Sequence, residues 1–198
     1  MSPMDGLDKK GVFTFMTLDD AKRIGEKLAE AKRAVVIGVG LIGISVTEAL
    51  KKCGVAVTII ELMNRILGTV LDEEASRMVG DVVSEAGVDI RTGHTVKTII
   101  GRDSDDGTVG GVILDDGESI PCDLVIVAIG VVPQIDLVKD TEIKVNRGIL
   151  VDRQMETSYP GVYACGDVAE AYDFIYASNR VVPIWPNAHI GGHGQSSD

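Results

Sequence analysis

Apolar positions along the chain change period several times, and each change marks an element. Over residues 17–32, Ile24, Leu28 and Ala31 recur at helical spacing. Thr17 is placed to cap that helix, and Asp19 and Asp20 put negative charge at its positive end. Residues 34–39 then form a short β-branched apolar run, the mark of a strand buried on both faces. Residues 41–52 read as a helix and 55–60 as a second buried strand closed by Glu61. Asp72 caps a further helix to about residue 86, where Gly87 ends it. After Gly87 come short runs at 88–91, 95–100, 109–114 and 118–120, separated by Asp/Gly clusters such as 103–107 and 115–117. Such punctuation predicts antiparallel hairpins. Residues 124–129 return to a fully apolar strand ending at Gly130. The order βαβα, a small β-meander and a closing strand predicts one α/β domain with an antiparallel insertion.

A boundary falls at 131–134, where Pro133 breaks the pattern. Beyond it the sequence predicts strands at 148–152 and 162–165 around a turn at Tyr159-Pro160-Gly161, followed by a segment rich in aromatics and prolines. The expected organisation is a lead-in at 1–16, a nucleotide-binding domain at 17–131 and a second region at 132–198.

Composition narrows the classes. Of 198 residues, 45% are hydrophobic and 25% charged, ordinary for a globular chain. The formal net charge is −11 with a pI near 4.7, and the basic pairs (Lys9-Lys10, Lys32-Arg33, Lys51-Lys52) suit helix ends and solvated faces, so no nucleic acid or anionic membrane partner is expected. No apolar run reaches the roughly 18 residues of a membrane span, and residues 1–11 have no signal-peptide pattern. A cytoplasmic location is expected, with Cys53, Cys122 and Cys165 as thiols without a redox role.

The candidate chemistry centres on Gly38-Val39-Gly40-Leu41-Ile42-Gly43, which joins the first buried strand to a helix. Glu61 closes the next strand, 18 positions beyond Gly43. A lone GxGxxG is a weak signal; a strand before it, a helix after it and an acid at this distance make the dinucleotide fingerprint. Gly38 permits the tight turn, Gly40 lets a pyrophosphate approach the backbone, and Gly43 lets helix and strand pack closely. The helix N-terminus, at Leu41, Ile42 and Gly43, offers N–H groups and partial positive charge to phosphate. The carboxylate of Glu61 suits ribose hydroxyls and repels a 2′-phosphate, so NADH is expected over NADPH; Arg65 is the one nearby cation.

A second signature, Thr-Ser-Tyr-Pro-Gly-Val-Tyr-Ala-Cys-Gly-Asp, occupies residues 157–167. With the segments at 11–21, 32–38, 169–174 and 183–188, it resembles the FAD-dependent pyridine nucleotide–disulfide oxidoreductase family. The branch it is most similar to holds NADH oxidases, NADH:rubredoxin reductases and the FAD-dependent parts of nitrite reductases. The resemblance implies a Rossmann-like NAD-binding domain with a β-meander insertion, plus the second half of a discontinuous FAD-binding domain. It implies that Gly166 and Asp167 contact FAD, and that Ala128, Ile129 and Gly130 form the motif leading from the NAD domain back to the FAD domain. It also implies hydride transfer from NADH to FAD and on to oxygen, rubredoxin or another acceptor.

The chain departs from that family in two respects. The family's first FAD half and its C-terminal interface domain have no counterpart here, so the chain reads as a fragment. Its own residues supply no assignable catalytic group, and FAD is not expected to be retained by this chain alone. Ser45 stands where much of the family has a glutamate. Three readings remain open: part of an oxidoreductase, a standalone NADH-binding or partner-binding module, and a subunit completed by a separate FAD-binding polypeptide. The apolar surface an incomplete domain leaves is expected either to pack on the chain's own NAD domain or to form a symmetric homodimer. His94 is expected to be exposed. His189 and His193 stand four apart, but Gly191, Gly192 and Gly194 predict a flexible tail without a metal.

Overall fold

The computed structural model describes residues 4–193, and the chain divides into two units, one ending at Gly130 and one beginning at Val131. In chain order the first unit holds β1 (Val12–Thr14), α1 (Leu18–Leu28), β2 (Arg33–Ile37), α2 (Leu41–Lys52), β3 (Ala56–Glu61), α3 (Glu73–Glu85), β4 (Asp89–Thr92), β5 (Val96–Arg102), β6 (Asp105–Leu114), β7 (Ser119–Pro121) and β8 (Leu124–Val127). Five strands make a parallel sheet in the order β1-β8-β2-β3-β4, and β5-β6-β7 make a separate antiparallel sheet.

The period-2 geometry of β2 explains why two kinds of layer cover this sheet. Ala34 and Val36 point into a cluster with Ile24 of α1 and Val46 and Leu50 of α2, against which Val79 and Val83 of α3 also pack. Val35 and Ile37 point into the other cluster, with Val96, Ile99, Val109, Val112 and Leu114 of the meander. Val35 and Val36 are both fully buried, as a continuous apolar run requires when both faces are covered. The α/β class and its antiparallel insertion are therefore as expected, with the insertion serving as a whole layer.

Several boundaries differ from the sequence reading. Helix α1 ends at Leu28 because the next residues turn toward the sheet, where the Lys32 and Arg33 N–H groups both donate to Asp123 Oδ2 at 3.0 Å. Its start is as read: Thr17 and Asp20 form a reciprocal capping box. Residues 88–91, read as part of the meander, belong instead to the parallel sheet; α3 returns the chain across it, so the next strand pairs parallel to β3. The lead-in contributes an edge strand, β1, beside β8.

The second unit holds β9 (Ile149–Leu150), β10 (Ala169–Asp173), β11 (Ser178–Arg180) and α4 (Trp185–His193). Strand β10 pairs parallel with β9 and antiparallel with β11. The strand expected at 148–152 shrinks to two residues, and that expected at 162–165 is reduced to an isolated bridge between Glu156 and Tyr163. Residues 162–164 fold straight back on 155–157 across the tight turn, with the Thr157 N–H donating to the Val162 carbonyl at 2.8 Å and the Ala164 N–H to the Met155 carbonyl at 3.0 Å. The Asp152 and Thr157 side chains accept the Gln154, Glu156 and Tyr159 N–H groups around that turn. Residues 185–193 are helical where a flexible tail was expected. Gly191 is buried, and a Cβ there would lie 3.2 Å from Cys165 Cβ, so close packing offsets its low helix propensity. Residues 194–198 of that expected tail lie outside the described residues. No helix among the described residues is long and apolar enough to cross a membrane.

Candidate dinucleotide-binding site

In the first unit the strand order reverses direction at β2: β3 lies on one side of it and β8 on the other. Crevices at such a switch point, beyond the carboxyl ends of the strands, are where open α/β sheets take ligands. Gly38 follows β2 there, and Ile129 and Gly130 follow β8.

Each glycine has a distinct physical requirement. Gly38 has φ +89°, and a Cβ on it would sit 2.6 Å from the Ala128 carbonyl oxygen. Gly43 is buried so tightly against the turn that a Cβ would come 2.0 Å from the Gly38 carbonyl oxygen. Thr47 seals that approach from inside α2 by donating to the Gly43 carbonyl at 2.7 Å. Gly40 is different: a Cβ there would meet nothing within 4 Å, so open space lies over the start of α2. Gly40 is also the N-cap and provides no side-chain acceptor. By helix geometry the N–H groups of Leu41, Ile42 and Gly43 have no intrahelical partner, and Leu41 and Ile42 are exposed. The cradle thus offers a positive helix end with room for a phosphate. Gly130, with φ +108°, and exposed Ile129 border the same turn through the Ala128–Gly38 contact.

Glu61 ends β3 and turns back on the cradle. One carboxylate oxygen accepts the Val39 N–H at 2.8 Å and the other the Met63 N–H at 2.9 Å. Each oxygen keeps a further acceptor site, so the carboxylate is oriented without being used up. Arg65 is half-buried: its Nη2 donates to the Gly68 carbonyl at 3.3 Å, and its buried Nε has no acceptor among the described residues. The glycine spacing pointed to Glu61 but not to its tie with Val39 or to the Ala128 carbonyl, which are tertiary contacts without a sequence signal.

In the second unit Gly166 (φ +77°) opens a 3-10 turn, Gly166–Val168, and Asp167 is exposed on it. Both stand directly before β10, with room beside Gly166, where a Cβ would meet only Ala188 Cβ at 3.6 Å. Burial, and next the Asp123 carboxylate, push the Cys122 thiol up to about 12, which leaves it unreactive. All three cysteines are free. His94 is half-buried and lies against Asp115 and Asp116, not simply exposed as expected. Ser45 spends its hydroxyl on the Leu41 carbonyl one turn back.

Residues 1–192 match the Pyridine nucleotide-disulphide oxidoreductase family. The chain is 34% identical over 174 residues to a rubredoxin-NAD(+) reductase of Pseudomonas putida, which covers 88% of this chain and 44% of the relative. It superposes on a water-forming NADH oxidase from Lactobacillus brevis bound to NADH, with TM-score 0.90 and 28% identity over 99% of this chain and 43% of that one. An engineered form of that oxidase, bound to NADPH, superposes with TM-score 0.89 and 27% identity over 99% and 43%. Its five substitutions replace a glycine by alanine; an aspartate, an alanine and a methionine, 18 to 20 residues later, by alanine, arginine and serine; and a proline, 25 residues later, by arginine. This chain spans about half the length of the relatives it matches. On the match across nearly its whole length, the chain belongs to the pyridine nucleotide-disulphide oxidoreductase family.

Proposed function

We propose that this chain is the NADH-binding portion of a flavin-dependent NADH:acceptor oxidoreductase. The observation that carries the reading is the uncapped N-terminus of α2 under open space at Gly40, with the Glu61 carboxylate held at its side. The N–H groups of Leu41, Ile42 and Gly43 hold the pyrophosphate, Glu61 accepts the adenosine ribose hydroxyls, and Ile129 and Gly130 flank the crevice. Residues 17–131 act as the NAD(H)-binding domain and 132–198 as part of a flavin-binding domain. There Gly166 lets the backbone approach FAD and Asp167 accepts from its hydroxyls. When bound, FAD accepts the hydride and passes electrons on. The acceptor is oxygen, rubredoxin or another electron carrier.

Two features support NADH over NADPH. Arg65 spends its Nη2 on the Gly68 carbonyl. In addition, Glu61, Leu62, Met63 and Gly68 follow Gly43 at the spacings of the substituted positions in the NADPH oxidase, and none is an arginine. Glu61→Arg is expected to weaken NADH at least about tenfold, the scale of losing charged hydrogen bonds, and to improve NADPH. Dissociation constants of both nucleotides for both proteins measure this, and unchanged NADH affinity overturns the role of Glu61.

A second reading concerns flavin, because the relatives are about twice as long as this chain. A few hydrogen bonds at Gly166 and Asp167, each about 0.5–1.5 kcal/mol net, do not offset the several kcal/mol needed to immobilise a ligand. The 198 residues alone are therefore a nucleotide-binding module without turnover, and a further polypeptide segment or subunit supplies the rest of the flavin site. The purified chain is expected to lack a flavin band and to gain NADH oxidation only when that segment and FAD are added. A near-stoichiometric flavin absorbance in the chain alone overturns this.

A further inference from the structure

The loop after β4 and the turn between β6 and β7 bring one imidazole and two carboxylates together. His94 Nδ1 lies 3.3 Å from Asp115 Oδ1 and 3.7 Å from Asp116 Oδ2. One ligand atom from each residue lies within 4.8 Å of the other two. Nitrogen and oxygen ligands at about 2.1 Å from a tetrahedral ion stand about 3.4 Å apart, so two of the three edges already have nearly that length. We propose that His94, Asp115 and Asp116 form a zinc-type divalent metal site, with the fourth position left to water.

Backbone contacts hold the three groups in place. The Thr95 N–H donates to Asp115 Oδ1 at 3.1 Å, and the Asp115 N–H donates to the Thr95 carbonyl at 3.0 Å, stitching loop to turn. The Glu118 N–H donates to Asp116 Oδ1 at 2.9 Å, which leaves Oδ2 on the His94 side. The His94 and Gly93 N–H groups donate to the Glu61 and Met63 carbonyls, fixing the loop that carries the imidazole. Outer contacts of this kind orient metal ligands. Arg91 pairs with Asp89 and Glu118 at 3.0 and 3.3 Å, and the charge of Asp116 also acts on it. The side chains are 34–46% exposed, which leaves an entry path. One imidazole with two carboxylates suits Zn²⁺ or Co²⁺ better than the all-oxygen shells of Ca²⁺ and Mg²⁺. Binding takes the neutral ring with its proton on Nε2.

The test is calorimetric titration of the chelator-treated full chain with Zn²⁺, with Co²⁺ absorbance as a second probe. One ion per chain is expected, together with a higher melting midpoint in Zn²⁺. His94→Gln and Asp116→Asn are each expected to weaken binding about tenfold or more, since even outer-shell losses cost 10–100-fold. A His189→Gln/His193→Gln double variant is expected to titrate as wild type. Wild-type titration of both His94→Gln and Asp116→Asn, loss of binding in the His189/His193 variant alone, or no binding at millimolar Zn²⁺ overturns the site. Melting curves in chelator identify any variant that fails to fold, and the other then decides.

Discussion

The two units solve the same problem, burying apolar surface around strands, with unequal means. The first lays a five-stranded sheet between three helices and a meander, and both faces of β2 are filled. The second packs one small cluster, Val138, Ile149, Val151 and Ala169, beside two- to five-residue strands. Its ordering relies on polar groups instead. Glu170 is 2% exposed and accepts from the Asn146 side chain and the Arg147 and Gly148 N–H groups, each at 2.9 Å. Meanwhile Phe174, Ile175, Tyr176 and Trp185 stay exposed. Where apolar area is plentiful the backbone can follow a turn as tight as that at Gly38 and Gly43; where it is scarce, a buried carboxylate holds the loops.

The largest effect is expected where that tight geometry is broken. Gly38→Val combines a left-handed backbone that valine resists with a Cβ 2.6 Å from the Ala128 carbonyl oxygen. Backbone strain and overpacking each cost about 1–3 kcal/mol. A loss of about 3 kcal/mol or more is expected by denaturant unfolding, with NADH binding abolished. Retained NADH affinity would mean that the cradle adapts, and that the close approach of β2 and β8 is not what shapes it.

Next comes the polar anchor of the second unit. Glu170→Gln keeps the shape but turns an amide donor toward donors, at a cost of about 1–2 kcal/mol. The pH dependence has a definite sign. Burial pushes the Glu170 carboxyl up, but the Gly148 N–H, the Asn146 amide and the Arg147 N–H together hold it below the usual glutamate range. Its stabilising effect is therefore full above the range of an unfolded glutamate and disappears as pH falls through the lower folded value. Melting midpoints followed into acid should drop for the wild type and flatten for Glu170→Gln over that interval. Parallel curves would assign the acid sensitivity elsewhere.

The same contrast governed what could be read from the sequence. In the first unit local signals and tertiary packing agree: Asp72 caps α3 as expected, α2 spans 41–52, and the glycine spacing places the turn from β2 into α2. The misplacement of residues 88–91 came from a run too short to reveal its partner strand, which the crossover through α3 decides. In the second unit the local signals misled. The run at 162–165 looks like a strand, yet it folds back on 155–157 in a single bridge held by the Ala164–Met155 and Thr157–Val162 backbone bonds. The glycines of α4 look like a tail, yet burial of Gly191 against Cys165 and Met155 holds a helix. The local geometry follows this division: the glycines of the β2–α2 turn and the place of Glu61 at the end of β3 were legible, whereas the tie of Glu61 to Val39 and the meeting of His94 with Asp115 and Asp116 depend on distant segments.

The smallest effect on stability is expected at the exposed aromatic run of the second unit. Phe174 is 83% and Ile175 73% exposed, between the paired residues Asp173 and Ser178 of the β10–β11 hairpin. The hairpin has its own ties: the Asp173 carboxylate accepts from the Ile175 and Tyr176 N–H groups and pairs with Arg180, whose guanidinium stacks 3.8 Å from the Tyr176 ring centroid. A Phe174→Ser/Ile175→Ser double variant should therefore change unfolding free energy by no more than about 0.5 kcal/mol while lowering the binding of an apolar fluorescent dye. A loss comparable to Glu170→Gln would show that these side chains do contribute to the unit's own core, and would erase the contrast between the units. Unchanged stability with reduced dye binding would sharpen it, because apolar surface that contributes nothing to its own fold is then separated from the polar anchor that does.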